Sequence, residues 1–152
     1  MGRTKPTVSG EYIAGLTDGE GCFFVNIWKT PTYRAGAQVQ MHFHIKMQER
    51  DRELLERVRN TLQCGEVYFQ KEVRTNHCQC YRYTVSSRKD IVSKIIPFFK
   101  QNSLQTASKR SNFKLFCQIA RLLEKDVHKT AKGIEIIRAL KVQMNQKTVG
   151  LA

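Results

Sequence analysis

From Ala37 to Gln48 the chain alternates without a break: Val39, Met41, Phe43, Ile45 and Met47 fall on one side, Gln38, Gln40, His42, His44, Lys46 and Gln48 on the other. A period of two marks a strand, and a strand with one apolar and one polar face belongs to a sheet covered on one side only. Its neighbours fit such a sheet. Cys22 to Thr30, rich in Phe, Val, Ile and Trp, reads as a strand with Pro31 to Gly36 as its turn, and Glu66 to Glu72 and Gln79 to Val85 read as two more around a polar turn. Leu54, Leu55, Val58 and Leu62 repeat at helical spacing from Asp51, a plausible cap, to Gln63, with Gly65 closing the helix. Asp90 to Phe99, broken near Pro97, and Asn112 to Glu124 also read as helices. The order predicts an α+β fold of αββαββα topology, in which an antiparallel sheet carries helices on one face and leaves a polar face open.

At 152 residues the chain has the size of one domain, expected over 1–152. Its formal charge of +13 calls for a polyanionic partner. No apolar run approaches the roughly 20 residues of a membrane span, no signal-peptide pattern opens the chain, and Pro6 occupies the place where a myristoylation signal wants Ser or Thr. Nucleic acid is therefore the expected partner, with no membrane role. Five cysteines, odd in number and irregularly spaced, argue against a complete disulfide framework and for a reducing intracellular setting. His77-Cys78-x-Cys80 lacks the second pair that would complete a zinc site. Other nuclease and nucleotide-binding patterns are missing too: no acid is followed two places later by Lys, and no Gly-Lys pair closes a phosphate loop.

The open face is the expected reader of duplex DNA, because a two-stranded ribbon fits the major groove and its amide, imidazole and cationic side chains match base edges. Strand parity nominates Asn26, Trp28, Thr30, Gln38, Gln40, His42, His44 and Lys46, then Tyr68, Gln70, Arg82 and Thr84. About nine residues per strand at roughly 3.3 Å each cover about 30 Å, or about nine base pairs. Two copies about a twofold axis would read about twenty, as a pseudo-palindrome.

One further segment carries chemistry, Tyr12 to Cys22. Gly15 and Gly19 are four apart and share a helix face, with Ala14 and Asp18 on the adjoining stripe, so another backbone can come close. Unpaired carbonyls at the helix end carry partial negative charge and Glu20 adds a full one, which suits a hard divalent cation. Ile13-Ala14-Gly15-Leu16-Thr17-Asp18-Gly19-Glu20-Gly21 resembles the nine-residue signature of the LAGLIDADG homing endonucleases, departing from it at Ile13 and with Thr17 at a usually apolar place. Gly133 to Asn145 is similar to the closing helix of many members.

The resemblance implies a saddle-like sheet and two signature helices crossing at the active centre. One signature in this chain then implies a homodimer through Ala14, Gly15, Asp18 and Gly19, with Asp18 bonding backbone or the partner subunit rather than metal. It implies magnesium held by Glu20, helped by the Gly19 carbonyl, with Gln48 near the attacking water and Lys109 near the active centre. Many members have one residue fewer between Thr106 and Phe113, so Arg110 or Lys100 remains an alternative to Lys109. The activity implied is a staggered double-strand break with 3′ overhangs that spreads the encoding intron or intein, in a prokaryotic cytoplasm or an organelle matrix or stroma. The rival is a non-cutting regulator or a maturase binding intron RNA on the same fold.

Overall fold

The computed structural model describes residues 3–144. Its sheet has four antiparallel strands, β1 (Gly21–Lys29), β2 (Ala37–Gln48), β3 (Glu66–Gln70) and β4 (Cys80–Val85), in the order β1-β2-β4-β3. The apolar side of the β2 alternation meets its like across both ladders: Phe23 opposite Phe43 and Val25 opposite Met41 on β1, Tyr83 opposite Ile45 and Val85 opposite Phe43 on β4. The α+β architecture, with helices on that apolar face, is the one predicted. The strand ends move by one or two residues, since β1 stops before Thr30 and β3 before Glu72.

Helix α1 (Gly10–Glu20) runs straight into β1 and sends Ile13 into the core. The centre of that core is Phe23, whose ring lies 5.2 Å from those of Phe43 and Phe116, 5.3 Å from Phe113 and 5.4 Å from Phe99. These contacts seat the C-terminal helices over β1 and β2. Packing of this density makes single large-to-small changes costly, typically about 3–5 kcal/mol for a buried Phe.

Four expectations need correction. Helix α2 (Arg52–Leu62) follows a 3₁₀ turn, Glu49–Asp51, and Asp51 makes no side-chain cap bond. The helix is closed not by Gly65 but by Gln63, in the left-handed conformation at φ 58°, whose N–H donates to the Arg59 carbonyl at 2.8 Å. Gly65 is needed for another reason: at φ +86° it passes under β4, where a Cβ would meet the Thr84 carbonyl oxygen at 2.8 Å. Pro97 does not break its helix. A short α3 (Arg88–Asp90), a π-helical turn (Ile91–Ile95) and α4 (Ile96–Gln101) run on continuously, with Pro97 in the first turn of α4. The register shift at the π turn absorbs the missing proline donor.

The fourth correction bears on the site. Helix α5 (Ala107–Glu124) starts well before Asn112, capped by Thr106. Thr106 to Ser111 has no apolar periodicity because this first turn stands largely exposed. Helix α6 (Ala131–Met144) completes the described chain, and the expected last residue of the closing helix, Asn145, lies outside it. Among the described residues no helix is long and apolar enough to cross a membrane.

Candidate active cleft and nucleic-acid interface

Ser9 caps α1, its Oγ accepting from the Tyr12 N–H at 3.2 Å. Thr17 is fully buried, and its hydroxyl donates to the Ile13 carbonyl at 2.7 Å. That back-bond explains how a polar residue occupies a place where an apolar one is usual. The last turn then sends three neighbours in three directions. Asp18 turns into its own protomer, Gly19 stands exposed with nothing within 4 Å of an added Cβ, and Glu20 points into a cleft.

The cleft, about 630 Å³, is lined by Glu20, Gln48, Lys46, Met47, Arg50, Asp51 and Cys80. Glu20 is exposed there and, among the described residues, takes part in no ion pair. Two expected residues, Glu20 and Gln48, thus meet at one end of the sheet. Arg50, Asp51 and Cys80 were not nominated from the sequence. Arg50 and Asp51 belong to the 3₁₀ turn that the helical periodicity did not reveal, and Cys80 stands opposite Gln48 through the β2–β4 register.

Asp18 makes the most developed contact of the region. Its Oδ2 accepts from the Gln105 N–H at 2.9 Å, and its Oδ1 accepts from the Thr106 N–H at 3.1 Å and hydroxyl at 2.9 Å. Partial desolvation works to raise its pKa, but these bonds outweigh it and, with the Lys109 charge, hold the carboxyl below its ordinary value. Thr106 in turn caps α5, its Oγ1 accepting from the Lys109 N–H at 3.3 Å. Of the four residues nominated for a dimer seam, Ala14 is buried within the protomer and Asp18 is bonded to this chain's own backbone, whereas Gly15 and Gly19 are exposed and open.

Lys109 is half-buried, and its charge reaches Asp18 and Cys22. Arg110, one residue on and about 100° around the helix, is exposed. Lys100 acts instead on Cys117, within the helical layer. Of the three, Lys109 is the one whose charge acts on the end of α1 and the start of β1, although it does not line the cleft that holds Glu20 and Gln48.

That face is assembled as strand parity requires. Trp28 stands opposite Gln38, Asn26 opposite Gln40, His44 opposite Thr84, Lys46 opposite Arg82, and Tyr68 opposite Arg82 from the other side. Gln70 pairs with Cys80 at its edge, and Thr30 lies one residue beyond β1. Cys22 and Phe24, opposite His44 and His42, complete it. They were passed over because apolar side chains carry no base-reading signal.

The polar groups here are incompletely satisfied. Gln70 Oε1 and Arg82 Nε are buried without a hydrogen-bond partner, a state that calls for an external one. His42 Nδ1 lies 2.9 Å from Ser86 Oγ. Burial, then the Arg82 charge, lowers the pKa of both histidines, that of His44 to about 4 with His42 adding to the effect, so both present neutral imidazoles at neutral pH. Lys46 is less free than its parity implied. Its ammonium lies 3.4 Å from Glu72 Oε2, and hydrogen bonds from Arg74 hold that carboxyl down to about 2. All five cysteines are free thiols, and the described residues contain no cluster of three or more His, Cys, Asp or Glu arranged to hold a metal.

Comparison with known proteins agrees with this arrangement. The LAGLIDADG endonuclease family profile matches residues 13–120. A probable intron-encoded endonuclease 2 of Neurospora crassa is 33% identical over 137 residues, covering 88% of this chain but 28% of its own length. The chain thus spans under a third of that relative. The crystal structure of the homing endonuclease I-TnaI superposes with a TM-score of 0.81 at 30% identity, covering 93% of this chain and 91% of its own. I-SmaMI bound to cleaved DNA superposes at 0.82 with 34% identity, over 90% of this chain and 44% of its own. A family match over most of the sequence, on the architecture that puts Glu20 at the end of α1 beside an open four-stranded face, makes this chain a member of the LAGLIDADG endonuclease family.

Proposed function

We propose that the protein is a site-specific endonuclease for double-stranded DNA that acts as a pair of identical copies, each contributing one Glu20. The observation that carries this reading is the Glu20 carboxylate, unpaired at a helix end in a cleft that opens beside the polar sheet face.

The donor set fits magnesium. One carboxylate, helped by the last-turn carbonyl of Gly19, suits a hard ion that accepts few protein ligands and keeps its waters, and the absence of clustered Cys and His among the described residues offers nothing to a softer metal. When bound, magnesium supplies charge relief at the scissile phosphate and favours ionisation of an attacking water. The protein's own part is placement. Gln48 orients the water, Lys109 offers a cation to the phosphate or leaving oxygen, and the open face fixes register on the duplex. Two copies about a twofold axis would read about twenty base pairs and leave staggered ends with 3′ overhangs. Such a protein works wherever the DNA that encodes it resides.

The test uses duplex carrying the insertion junction of the encoding element, incubated with the protein and magnesium and resolved on a denaturing gel. Discrete cuts on both strands that vanish in Glu20→Gln while binding survives support the proposal. Binding without cuts over a range of salt and metal would replace it with a non-cutting binder.

A further inference from the structure

We infer that Asp18 and Thr106 are positioning residues, a clamp between the end of α1 and the start of α5 that sets where Lys109 stands relative to Glu20. The inference rests on the endonuclease reading for its catalytic consequence, though not for its geometry.

Both Asp18 oxygens are used, one by the Gln105 N–H and the other by the Thr106 N–H and hydroxyl. Thr106 Oγ1 donates to Asp18 and accepts from the Lys109 N–H, so it joins two helices through a single oxygen. The first turn of α5 has few other restraints: Gln105 to Ser108 are exposed, and the first buried side chain of the helix is Phe116. Buried Leu104 before this turn and Phe113 after it tie the chain to the core, and between those two anchors the clamp supplies the side-chain bonds that hold the turn carrying Lys109 against α1. Glu20 is two residues from Asp18 on the same helix, so the clamp ties the turn carrying Lys109 to the helix end that carries Glu20.

The chemistry explains why these residue types are suited. A carboxylate accepts two or three N–H and O–H bonds at a helix start, where unpaired amides favour negative charge. Asparagine at 18 would offer one oxygen and turn an NH₂ towards a donor. Valine at 106 would keep the shape of threonine and delete both bonds of its hydroxyl, and serine would keep them.

The experiment combines a double-mutant cycle with a reporter independent of cleavage. Single-turnover cutting is measured for Thr106→Val, Thr106→Ser, Lys109→Ala and the Thr106→Val/Lys109→Ala pair, with Asp18→Asn as a second probe and DNA binding measured alongside. A displaced Lys109 is expected to slow cutting by about a hundredfold in Thr106→Val, with Thr106→Ser close to the parent and the pair no slower than Lys109→Ala alone. In parallel, amide hydrogen exchange over residues 105–110 is followed by mass spectrometry in the full chain, since the clamp bonds the Gln105, Thr106 and Lys109 N–H groups. Exchange rises in Thr106→Val and in Asp18→Asn, and stays at the parent's rate in Thr106→Ser. Effects that multiply in the pair, or exchange over residues 105–110 that is unchanged in Thr106→Val and Asp18→Asn, would overturn the inference. Should the parent protein bind DNA and never cut, the endonuclease reading fails, and the exchange measurement decides the clamp.

Discussion

Two carboxylates two residues apart on one helix have opposite fates. Asp18 is consumed by structure and Glu20 is left with nothing to hold. The difference predicts how each responds to acid. Because the folded Asp18 carboxyl lies below its ordinary value of 3.8, its stabilising effect is present in full above that pH and fades as pH falls through the folded value. The stability gap between the parent and Asp18→Asn should therefore be constant from pH 7 down to about 4 and close below it. Urea denaturation across that range checks this, and a gap that persists at low pH would mean the bonds survive protonation. Glu20 was legible in the sequence because the family resemblance and the helix-end electrostatics agree on it. The clamp was not, because Asp18 and Thr106 are far apart in the chain and only the fold brings them together.

At the scale of the element, α1 is more open than its own protomer requires. Gly21, just past the helix, is demanded by the Thr17 backbone and Gly10 lies against the Asn102 side-chain amide, while Gly15 and Gly19 face open space. A glycine inside a helix costs roughly 1 kcal/mol relative to alanine, and nothing within the described protomer offsets that cost at these two positions. Gly15→Ala and Gly19→Ala should each stabilise the isolated protomer by up to about 1 kcal/mol while weakening self-association, by thermal melting and sedimentation respectively. Unchanged association would remove the seam. The same contrast explains which elements were readable. The β2 alternation forced the sheet, its open face and the face on which helices pack. The start of α5, the π turn before Pro97 and the left-handed Gln63 close to helices that carry no distinctive periodicity at those points, so capping bonds and register shifts set them instead.

On the whole molecule, positive charge lies on both layers, and of the buried polar atoms without a partner among the described residues two, Gln70 Oε1 and Arg82 Nε, lie on the open face, while the third, His128 Nδ1, lies beside the helices. The open face holds Arg82 and Gln70 with buried, unsatisfied atoms and two imidazoles kept neutral by burial and by Arg82. A phosphate-rich surface laid over it would raise the histidine pKa values, so protons are taken up on binding. Affinity should then rise as pH falls from about 6.5 towards about 4, the window between the ordinary value and that of His44. Lys114 and Arg121, by contrast, are exposed on α5 away from its buried Phe116, Ile119 and Leu123. If the sheet face carries the duplex, log affinity falls with log salt at a slope of about −0.9 per phosphate neutralised. Arg82→Ala should weaken binding and flatten that slope by about 0.9, while Lys114→Ala, equal in charge lost, should leave it unchanged. Fluorescence anisotropy on one duplex over a salt series measures both. Equal flattening in the two variants would mean that net charge alone holds the DNA, and a larger effect at Lys114 would move the duplex to the helical side.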